Sequence, residues 1–316
     1  MNTNIFFSII IPTYNRDYCI EKTIASALNQ TYNNYEIIIY DDGSTDNTRN
    51  VLEKYKSKIN YYHSENEGLV NTRKKAIELS TGNWIALLDS DDIWKSSYLE
   101  NLVNIIQQFP ERDFIISNFS NLDENGNEYF DQFNTMSDEW WSAISESKHK
   151  NLALLKDDCY LAFLEFQPVF PSAASFSRTL YNKIGGMDSR VGKKLAEDAH
   201  FSRRMAAYGR VACNFEKNVY IVKQADNMSS NIAINNLNRM EILEMLIENK
   251  QIPEKYVKAT RSTINSWQEQ VLSSLFQYNY YDQFVKLFLR LDTRSFFLKT
   301  YIKFFIAYIY HFILRK

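Results

Sequence analysis

The segment Trp84-Ile85-Ala86-Leu87-Leu88-Asp89-Ser90-Asp91-Asp92 is an apolar run that stops in three carboxylates around one serine. Preceded by Thr81-Gly82 and followed by a helical pattern, it predicts a strand buried on both faces of a parallel sheet. The carboxylates then lie at the strand's C-terminal end, where the strand-to-helix loops of open α/β sheets line a ligand crevice. Acids this close repel one another unless a cation or a hydrogen-bonded ligand offsets the charge. Asp-x-Asp at that edge supplies hard oxygen ligands for Mg²⁺ or Mn²⁺, shared with a substrate's phosphates. A helix N-terminus is the competing reading, since capping and the helix dipole favour Asp there. It fits Asp92 best, whereas Asp89 and Asp91 read toward the metal.

The chain before this segment delivers acids to the same edge. Phe7-Ser8-Ile9-Ile10-Ile11 is a β-branched run that Pro12 should close, since proline cannot donate to a ladder. After the loop Thr13-Tyr14-Asn15-Arg16, residues Ile20, Ile24, Ala27 and Leu28 share one helical face, with Asp17 as expected N-cap. Tyr35 to Tyr40 forms a second strand ending in Asp41-Asp42-Gly43-Ser44, and Asp46 is placed to cap a helix with Val51, Leu52 and Tyr55. Asn60 to His63 reads as a short third strand, followed by a helix through Arg73 to Leu79 with Gly82 as its stop. Strands alternating with helices imply a parallel, doubly wound sheet with right-handed crossovers. No G-x-G-x-x-G follows the first strand, which disfavours a dinucleotide-binding oxidoreductase.

Composition narrows the classes further. The 316 residues, 45% hydrophobic and 23% charged, are those of a folded globular chain, and a formal net charge of -2 carries no nucleic-acid signature. Cys19, Cys159 and Cys213 make an odd count without close pairing, which argues against a disulfide framework and suits a reducing cytosol. Met1-Asn2-Thr3-Asn4 has neither a basic nor a long apolar signal region, and no stretch of about 18 apolar residues predicts a spanning helix.

Four segments together, S-I-I-I-P-T-Y-N-R, L-N-Q-T-Y-N-N-Y-E-I-I-I-Y-D-D-G-S-T-D-N-T, N-E-G-L-V-N-T-R and T-G-N-W-I-A-L-L-D-S-D-D, resemble family 2 glycosyltransferases, the large inverting group with a GT-A fold. The resemblance is strong from Phe7 to Phe109 and looser to about Ser229. It implies a GT-A, Rossmann-like α/β fold, with a mostly parallel sheet flanked by helices and a helical C-terminal extension. It also implies a nucleotide-sugar-binding half over residues 1–110, an acceptor-binding half over 111–230, and a helical region over 231–316.

By the same resemblance, Thr13 and Tyr14 match positions against the nucleotide base, with Pro12 beside them among the nucleotide-binding residues, and Asp42 matches the carboxylate that accepts from the uracil ring. Arg73 matches an arginine near base and diphosphate, Asp89 matches the acid near the ribose, Ser90 is a nucleotide-binding position, and Asp91 matches the acid that binds Mg²⁺ or Mn²⁺. Each has a plainer reading: Asp41 as a turn former, Tyr14 as a core aromatic, Arg73 as a solvated helix charge.

Further along, Trp94 is expected to open a helix with Leu99, Leu102, Val103 and Ile106 buried, and Phe114-Ile115-Ile116 to form a strand. Asn121 to Gly126 reads as a polar hairpin or turn. Residues from Tyr129 to Phe170 match no pattern, in the region where the family builds its variable acceptor pocket. Pro171 to Arg178 resembles the family's small-residue segment, and Ile184-Gly185-Gly186-Met187-Asp188 its G-G-F-D turn with Met for Phe. Glu197-Asp198 then opens a helix that Gly209 stops. In similar enzymes this pair brings the general base to the anomeric carbon, which makes Asp198 the expected base and Glu197 its partner; the plainer reading is a preference of acids for helix N-termini.

A metal-ligating histidine of the family would fall at Gln224, an acceptable oxygen donor for Mg²⁺ and a poor ligand for transition metals. No Gln-x-x-Arg-Trp follows Asp198, so transfer of single sugars is expected. The donor is expected to be a nucleotide-diphospho sugar, most simply a uridine one, and the acceptor a saccharide or polyprenyl-linked saccharide. From Asn235 the pattern is helical, and Arg294 to Lys316 interleaves Phe296, Phe297, Phe304, Phe305, Tyr308 and Phe312 with Lys299, Lys303, Arg315 and Lys316. Basic residues among aromatics at helical spacing suit an interfacial helix on an anionic membrane; packing on the catalytic domain with a solvated basic face suits them equally. The expectation is therefore a cytoplasmic enzyme, peripheral on the inner face of the membrane. The alternatives are a non-catalytic sugar-nucleotide-binding subunit and a sugar nucleotidyltransferase. The first leaves intact Asp91 and Asp198 unexplained; the second lacks its Gly-rich basic loop after the first strand.

Overall fold

A computed structural model of the chain describes residues 4–123, 125–192, 196–222, 231–292 and 296–310. The chain divides into two compact units, Met1–Lys193 with Glu197–Ala225, and Lys194–Ala196 with Asp226–Lys316.

The first unit opens as the hydrophobic pattern requires. β1 (Phe7–Thr13), α1 (Ile20–Leu28), β2 (Tyr35–Asp41), α2 (Thr48–Glu53), β3 (Asn60–His63), α3 (Leu69–Leu79) and β4 (Trp84–Leu87) follow one another. All seven residues of β1 are buried, and it pairs in parallel with β2 and β4, so that Ile9 lies beside Ile37 on one side and Ala86 on the other. Successive side chains of a strand face opposite ways. Ile9, Ile11, Ile37, Ile39 and Ala86 thus enter one core with Ile20 and Ile24 of α1, while Ile10, Ile38, Ile85 and Leu87 enter another with Val70, Ala76 and Ile77 of α3.

Beyond β4 come β5 (Ile93–Trp94), α4 (Tyr98–Gln108), β6 (Phe114–Leu122), β7 (Glu128–Tyr129), α5 (Asp138–Ile144), β8 (Ser145–His149), β9 (Leu152–Leu155), α6 (Ala162–Glu165), β10 (Ala174–Ser177), α7 (Arg178–Lys183), α8 (Glu197–Tyr208) and β11 (Val211–Val222). Among the described residues the strands form one sheet in the order β3-β2-β1-β4-β10-β6-β11-β9-β8, with β5 paired to β11 and β7 to β6. The sheet is parallel from β3 to β4 and between β6 and β11; β10 enters antiparallel between β4 and β6, and β9 and β8 extend the far edge antiparallel. The result is a mixed sheet flanked by helices.

Several local expectations change. Trp94 opens no helix: it pairs with Val219 in β5, its Nε1 donates to Ser172 O at 2.7 Å, and its ring packs 4.3 Å from that of Tyr98, where α4 starts. β1 runs one residue past Pro12, to Thr13. Asp17 does not cap α1, whose N-cap position is Cys19, which makes no side-chain capping bond; the Asp17 carboxylate instead accepts from the Asn47 N–H at 3.3 Å. Asp46 does accept from the Thr48 N–H at the start of α2. Gly82 is not the stop of α3, which ends at Leu79; a Cβ there would lie 2.5 Å from Ser8 N and 2.7 Å from Phe6 O, so glycine is what lets the backbone approach β1. Asn121 and Leu122 belong to β6, and the turn after them returns as β7.

The second unit is helical: α9 (Ile232–Glu248), α10 (Glu254–Gln277), α11 (Tyr281–Arg290) and α12 (Leu298–Ile309). Asn231 Oδ1 caps α9 by accepting from the Ile234 N–H. Met240, Leu243, Leu246, Val271, Leu272, Leu275, Phe284 and Phe288 are buried, and Phe288 stacks on Phe304 at 4.3 Å. Among the described residues no helix is long and apolar enough to cross a membrane.

Candidate active site

The acids of the Trp84–Asp92 segment separate in role once the chain leaves the sheet. The Leu88 N–H makes a last parallel bond to Ile10 O at 3.0 Å. The next N–H, of Asp89, donates to Ser172 Oγ at 2.9 Å, and that hydroxyl donates to Asp92 Oδ2 at 2.5 Å. Asp92 Oδ1 accepts from the Val222 N–H at 3.2 Å, and its carbonyl accepts from Thr23 Oγ1 at 2.9 Å. Asp92 is thus a buried knot between the acid loop, the segment before β10 and the end of β11, not the cap of a helix. Burial pushes its carboxyl well above the usual range, with the Asp91 and Asp89 charges adding. Ser172 was not singled out from the sequence, because its partners stand 80 and 83 positions away.

Asp89 and Asp91 remain half-buried, and each meets a guanidinium. Arg73 Nη2 lies 2.5 Å from Asp89 Oδ1, and its Nη1 lies 3.0 Å from Glu197 Oε1. Arg73 is 2% exposed, so it is no solvated helix charge. Burial alone would lower its pKa; the two carboxylates overcome this and raise it. Asp91 Oδ2 lies 3.8 Å from Arg16 Nε. Burial raises the Asp91 carboxyl, the Asp89 charge adds, and Arg16 opposes. Ser90 is buried between them, its carbonyl accepting from Cys19 Sγ at 3.5 Å.

Glu197 and Asp198 form the first turn of α8, and both line a cleft with Arg73, Leu87, Pro171, Met187 and His200. The cleft therefore joins the acid-bearing end of β4 to the start of α8 through Arg73. Gly185 and Gly186, at φ +76 and +70, make the turn that brings Met187 and Asp188 to its wall. Burial raises the Glu197 carboxyl, and the Asp198 charge adds to it against the pull of Arg73.

The other sheet-edge acids are held by backbone. Asp42 Oδ1 accepts from the Glu67 N–H at 2.8 Å and Oδ2 from the Gly68 N–H at 2.9 Å, fixing the loop before α3. Asp41 holds its own turn, accepting from the Ser44 N–H and from Tyr61 Oη. Thr13 is buried and its Oγ1 has no hydrogen-bond partner among the described residues, while Tyr14 is 45% exposed and is no core aromatic.

Among the described residues no three His, Cys, Asp or Glu side chains group as a preformed metal cage. Asp89 is committed to Arg73, and Asp92 to Ser172 and the Val222 N–H. One partly exposed carboxylate, Asp91, fits the habit of Mg²⁺ and Mn²⁺ sites that take one or two protein oxygens and complete the shell with substrate phosphates and water. Gln224 lies outside the described residues.

The model of the family described as Glycosyl transferase family 2 matches residues 8–163. The putative teichuronic acid biosynthesis glycosyltransferase TuaG of Bacillus subtilis is 44% identical over 107 residues, which are 32% of this chain and 42% of that protein. The Escherichia coli UDP-Glc:alpha-D-GlcNAc-diphosphoundecaprenol beta-1,3-glucosyltransferase WfgD is 43% identical over 101 residues, 31% of this chain and 40% of that one. Across such curated relatives the match spans between 19% and 49% of their length. The fold is that of S. aureus TarS 1-349, solved with UDP-GlcNAc: TM-score 0.61 at 18% identity, over 96% of this chain and 79% of that one. Residues 8–163 thus match glycosyl transferase family 2, and the chain has the GT-A fold.

Proposed function

We propose that this chain is an inverting glycosyltransferase. It moves one sugar from a uridine-diphospho sugar to a saccharide or polyprenyl-linked saccharide acceptor in surface polysaccharide synthesis. The observation that carries the proposal is the Arg73 bridge, which ties Asp89 after the end of β4 to Glu197 at the start of α8, in the wall of a cleft that Arg73, Glu197 and Asp198 line. A direct displacement needs donor-holding groups and a base on opposite sides of one sugar, and the proposal assigns the first to the end of β4 and the second to the start of α8.

In this reading residues 1–110 hold the donor and 111–230 the acceptor. Pro12, Thr13, Tyr14 and Asp42 face the base; each Asp42 oxygen accepts one backbone N–H and retains lone-pair capacity for a ring N–H. Asp89 and Ser90 lie at the ribose side, Arg73 near the diphosphate, and Asp91 holds Mg²⁺ or Mn²⁺ together with the donor's phosphates. Bound there, the cation supplies Lewis-acid stabilisation of the departing diphosphate, a contribution of several kcal/mol. Asp198 takes the acceptor hydroxyl's proton as the oxygen bonds to the anomeric carbon and the sugar–phosphate bond breaks, its electron pair leaving with the nucleoside diphosphate. Glu197 orients the base or the acceptor.

The acceptor half of the proposal draws on relatives whose names specify undecaprenol-linked and teichuronic acid substrates. A lipid-linked acceptor would be met at the inner face of the cell membrane, and α12 supplies a surface for it. Leu298, Ile302, Phe305, Ile306 and Ile309 are exposed along that helix, near Lys299 and Lys303. An apolar face beside basic residues suits the interface of an anionic bilayer.

A thermal-shift panel of nucleoside diphosphates and sugar nucleotides, with and without Mn²⁺, tests the donor half, because a ligand of the native state raises its stability by mass action. A metal-dependent shift with a uridine sugar, absent in Asp91→Asn, is the expected result. Shifts with no nucleotide at all would overturn it.

A further inference from the structure

We infer that Arg16 is the exchangeable counter-charge of the donor site: it neutralises Asp91 while the donor is absent, and passes to the donor's diphosphate when a cation takes Asp91. The inference rests on the reading of the cleft given above.

The loop that carries Arg16 is fixed by its backbone and not by this side chain. Asn15, at φ +51, donates its N–H to Ser44 Oγ at 2.9 Å and accepts the Thr45 N–H on its Oδ1 at 2.8 Å. The Arg16 N–H donates to Thr48 Oγ1 at 2.8 Å, and its carbonyl accepts from the N–H groups of Cys19 and Ile20 at 3.1 and 3.0 Å, opening α1. The point from which the side chain springs is thus tied to the neighbouring β2–α2 loop and to the helix that follows.

The guanidinium itself is held only by weak contacts, one of them the Tyr18 ring 5.9 Å from its Cζ. Its Nε is 3.8 Å from Asp91 Oδ2, beyond hydrogen-bonding distance, and its Nη1 makes a 3.3 Å bond to the adjacent Asn15 carbonyl. Its side chain is 32% exposed, against 2% for Arg73. Of the two guanidinium groups paired with Asp89 and Asp91 among the described residues, Arg73 has spent both terminal nitrogens on Asp89 and Glu197. Arg16 has not.

A donor diphosphate brings more negative charge to an edge that already carries Asp89 and Asp91. A cation arriving at Asp91 repels the guanidinium and removes its reason to stay, while the diphosphate offers paired acceptor oxygens that the planar guanidinium fork can engage. The same swing changes the sign of Arg16's contribution. It competes with metal in the donor-free protein and assists nucleotide binding in the loaded one.

The test is two titrations on the full chain and on Arg16→Gln. Mn²⁺ binding to donor-free protein, followed by electron paramagnetic resonance, should tighten severalfold in Arg16→Gln because the competitor is gone. UDP binding at saturating Mn²⁺, followed by calorimetry, should weaken by about tenfold or more, the scale of one charge-assisted hydrogen bond. Arg16→Lys, which keeps the charge without the fork, should leave Mn²⁺ affinity near wild type and still weaken UDP. If Arg16→Gln leaves Mn²⁺ affinity unchanged or lowers it, or leaves UDP affinity unchanged, the exchange does not occur. If the wild-type chain binds neither UDP nor Mn²⁺, the donor-site reading fails and the exchange fails with it.

Discussion

Arg73 Nη1 lies 3.0 Å from Glu197 Oε1, joining two helices across 124 positions of sequence, while Nη2 lies 2.5 Å from Asp89 Oδ1. One buried cation thereby sets the separation between the acid that leaves β4 and the acid that opens α8. Arg73→Gln leaves the two carboxylates without the charge that separates them. Breaking a buried pair from one side costs about 3–5 kcal/mol, so the denaturation midpoint should fall accordingly. Arg73→Lys keeps the charge but not the fork and should fall between. A wild-type midpoint in Arg73→Gln would mean the bridge holds nothing.

Asp198→Asn removes the proposed base while preserving shape. Transfer should fall about 10²- to 10⁴-fold, the usual range for general-base catalysis, with UDP affinity unchanged. Single-turnover transfer and equilibrium UDP binding separate the two quantities. Unchanged turnover would reject Asp198 as the base.

The raised Glu197 carboxyl gives stability a pH dependence of defined sign. Between the unfolded value of about 4.3 and its higher folded value, the native state binds more protons than the unfolded one. Its contribution is therefore full below that window and is lost as pH rises through the folded value. Urea midpoints measured across mildly acidic pH should decline more steeply for wild type than for Glu197→Gln. Parallel profiles would remove Glu197 as a source of the slope.

Ser172→Ala deletes the hydroxyl that receives the Asp89 N–H and supplies Asp92 Oδ2. A buried carboxyl oxygen left without its donor costs about 1–3 kcal/mol. The loop that carries Asp89 and Asp91 should lose definition with it, seen as weaker UDP binding at saturating Mn²⁺. Native UDP affinity in Ser172→Ala would show that the loop is positioned without this hydroxyl.

The exposed face of α12 should bind lipid if the membrane proposal holds. Full chain should float with anionic liposomes and less so at high salt, which screens surface charge. Ile302→Glu with Ile306→Glu should stay in the dense fraction. Equal flotation of the double variant would exclude α12 as the anchor.

The order of strands and helices up to Asp92 was legible in the sequence because it depends on local periodicity: Ile9 and Ile10 enter opposite cores by strand alternation, and Ile20 and Ile24 share a helical face. The edge on which the acids gather followed from the same order. Roles within Asp89-Ser90-Asp91-Asp92 were not legible. They depend on Ser172, Arg73, Val222 and Glu197, which approach only through the folded sheet. Gly82 misled for the same reason: a glycine after a helix looks like a stop, yet here it answers a strand 74 positions earlier. Trp94 misled because its helical spacing with Leu99 and Leu102 hides a two-residue pairing to β11.

One consequence follows from the antiparallel insertion of β10. Ile116 of β6 and Ala174 of β10 are cross-strand partners, so the chain between them leaves the middle of the sheet and comes back beside its point of departure. That excursion is built into the fold: β9 pairs with β11, and Phe133, Trp141, Leu155 and Phe163 are buried in the same core as Ile10 and Ile38. A descendant gene or a protein engineer that exchanges the stretch between Leu122 and Phe170 must therefore refill the places of Phe133, Trp141, Leu155 and Phe163 as well as change what the stretch presents to solvent.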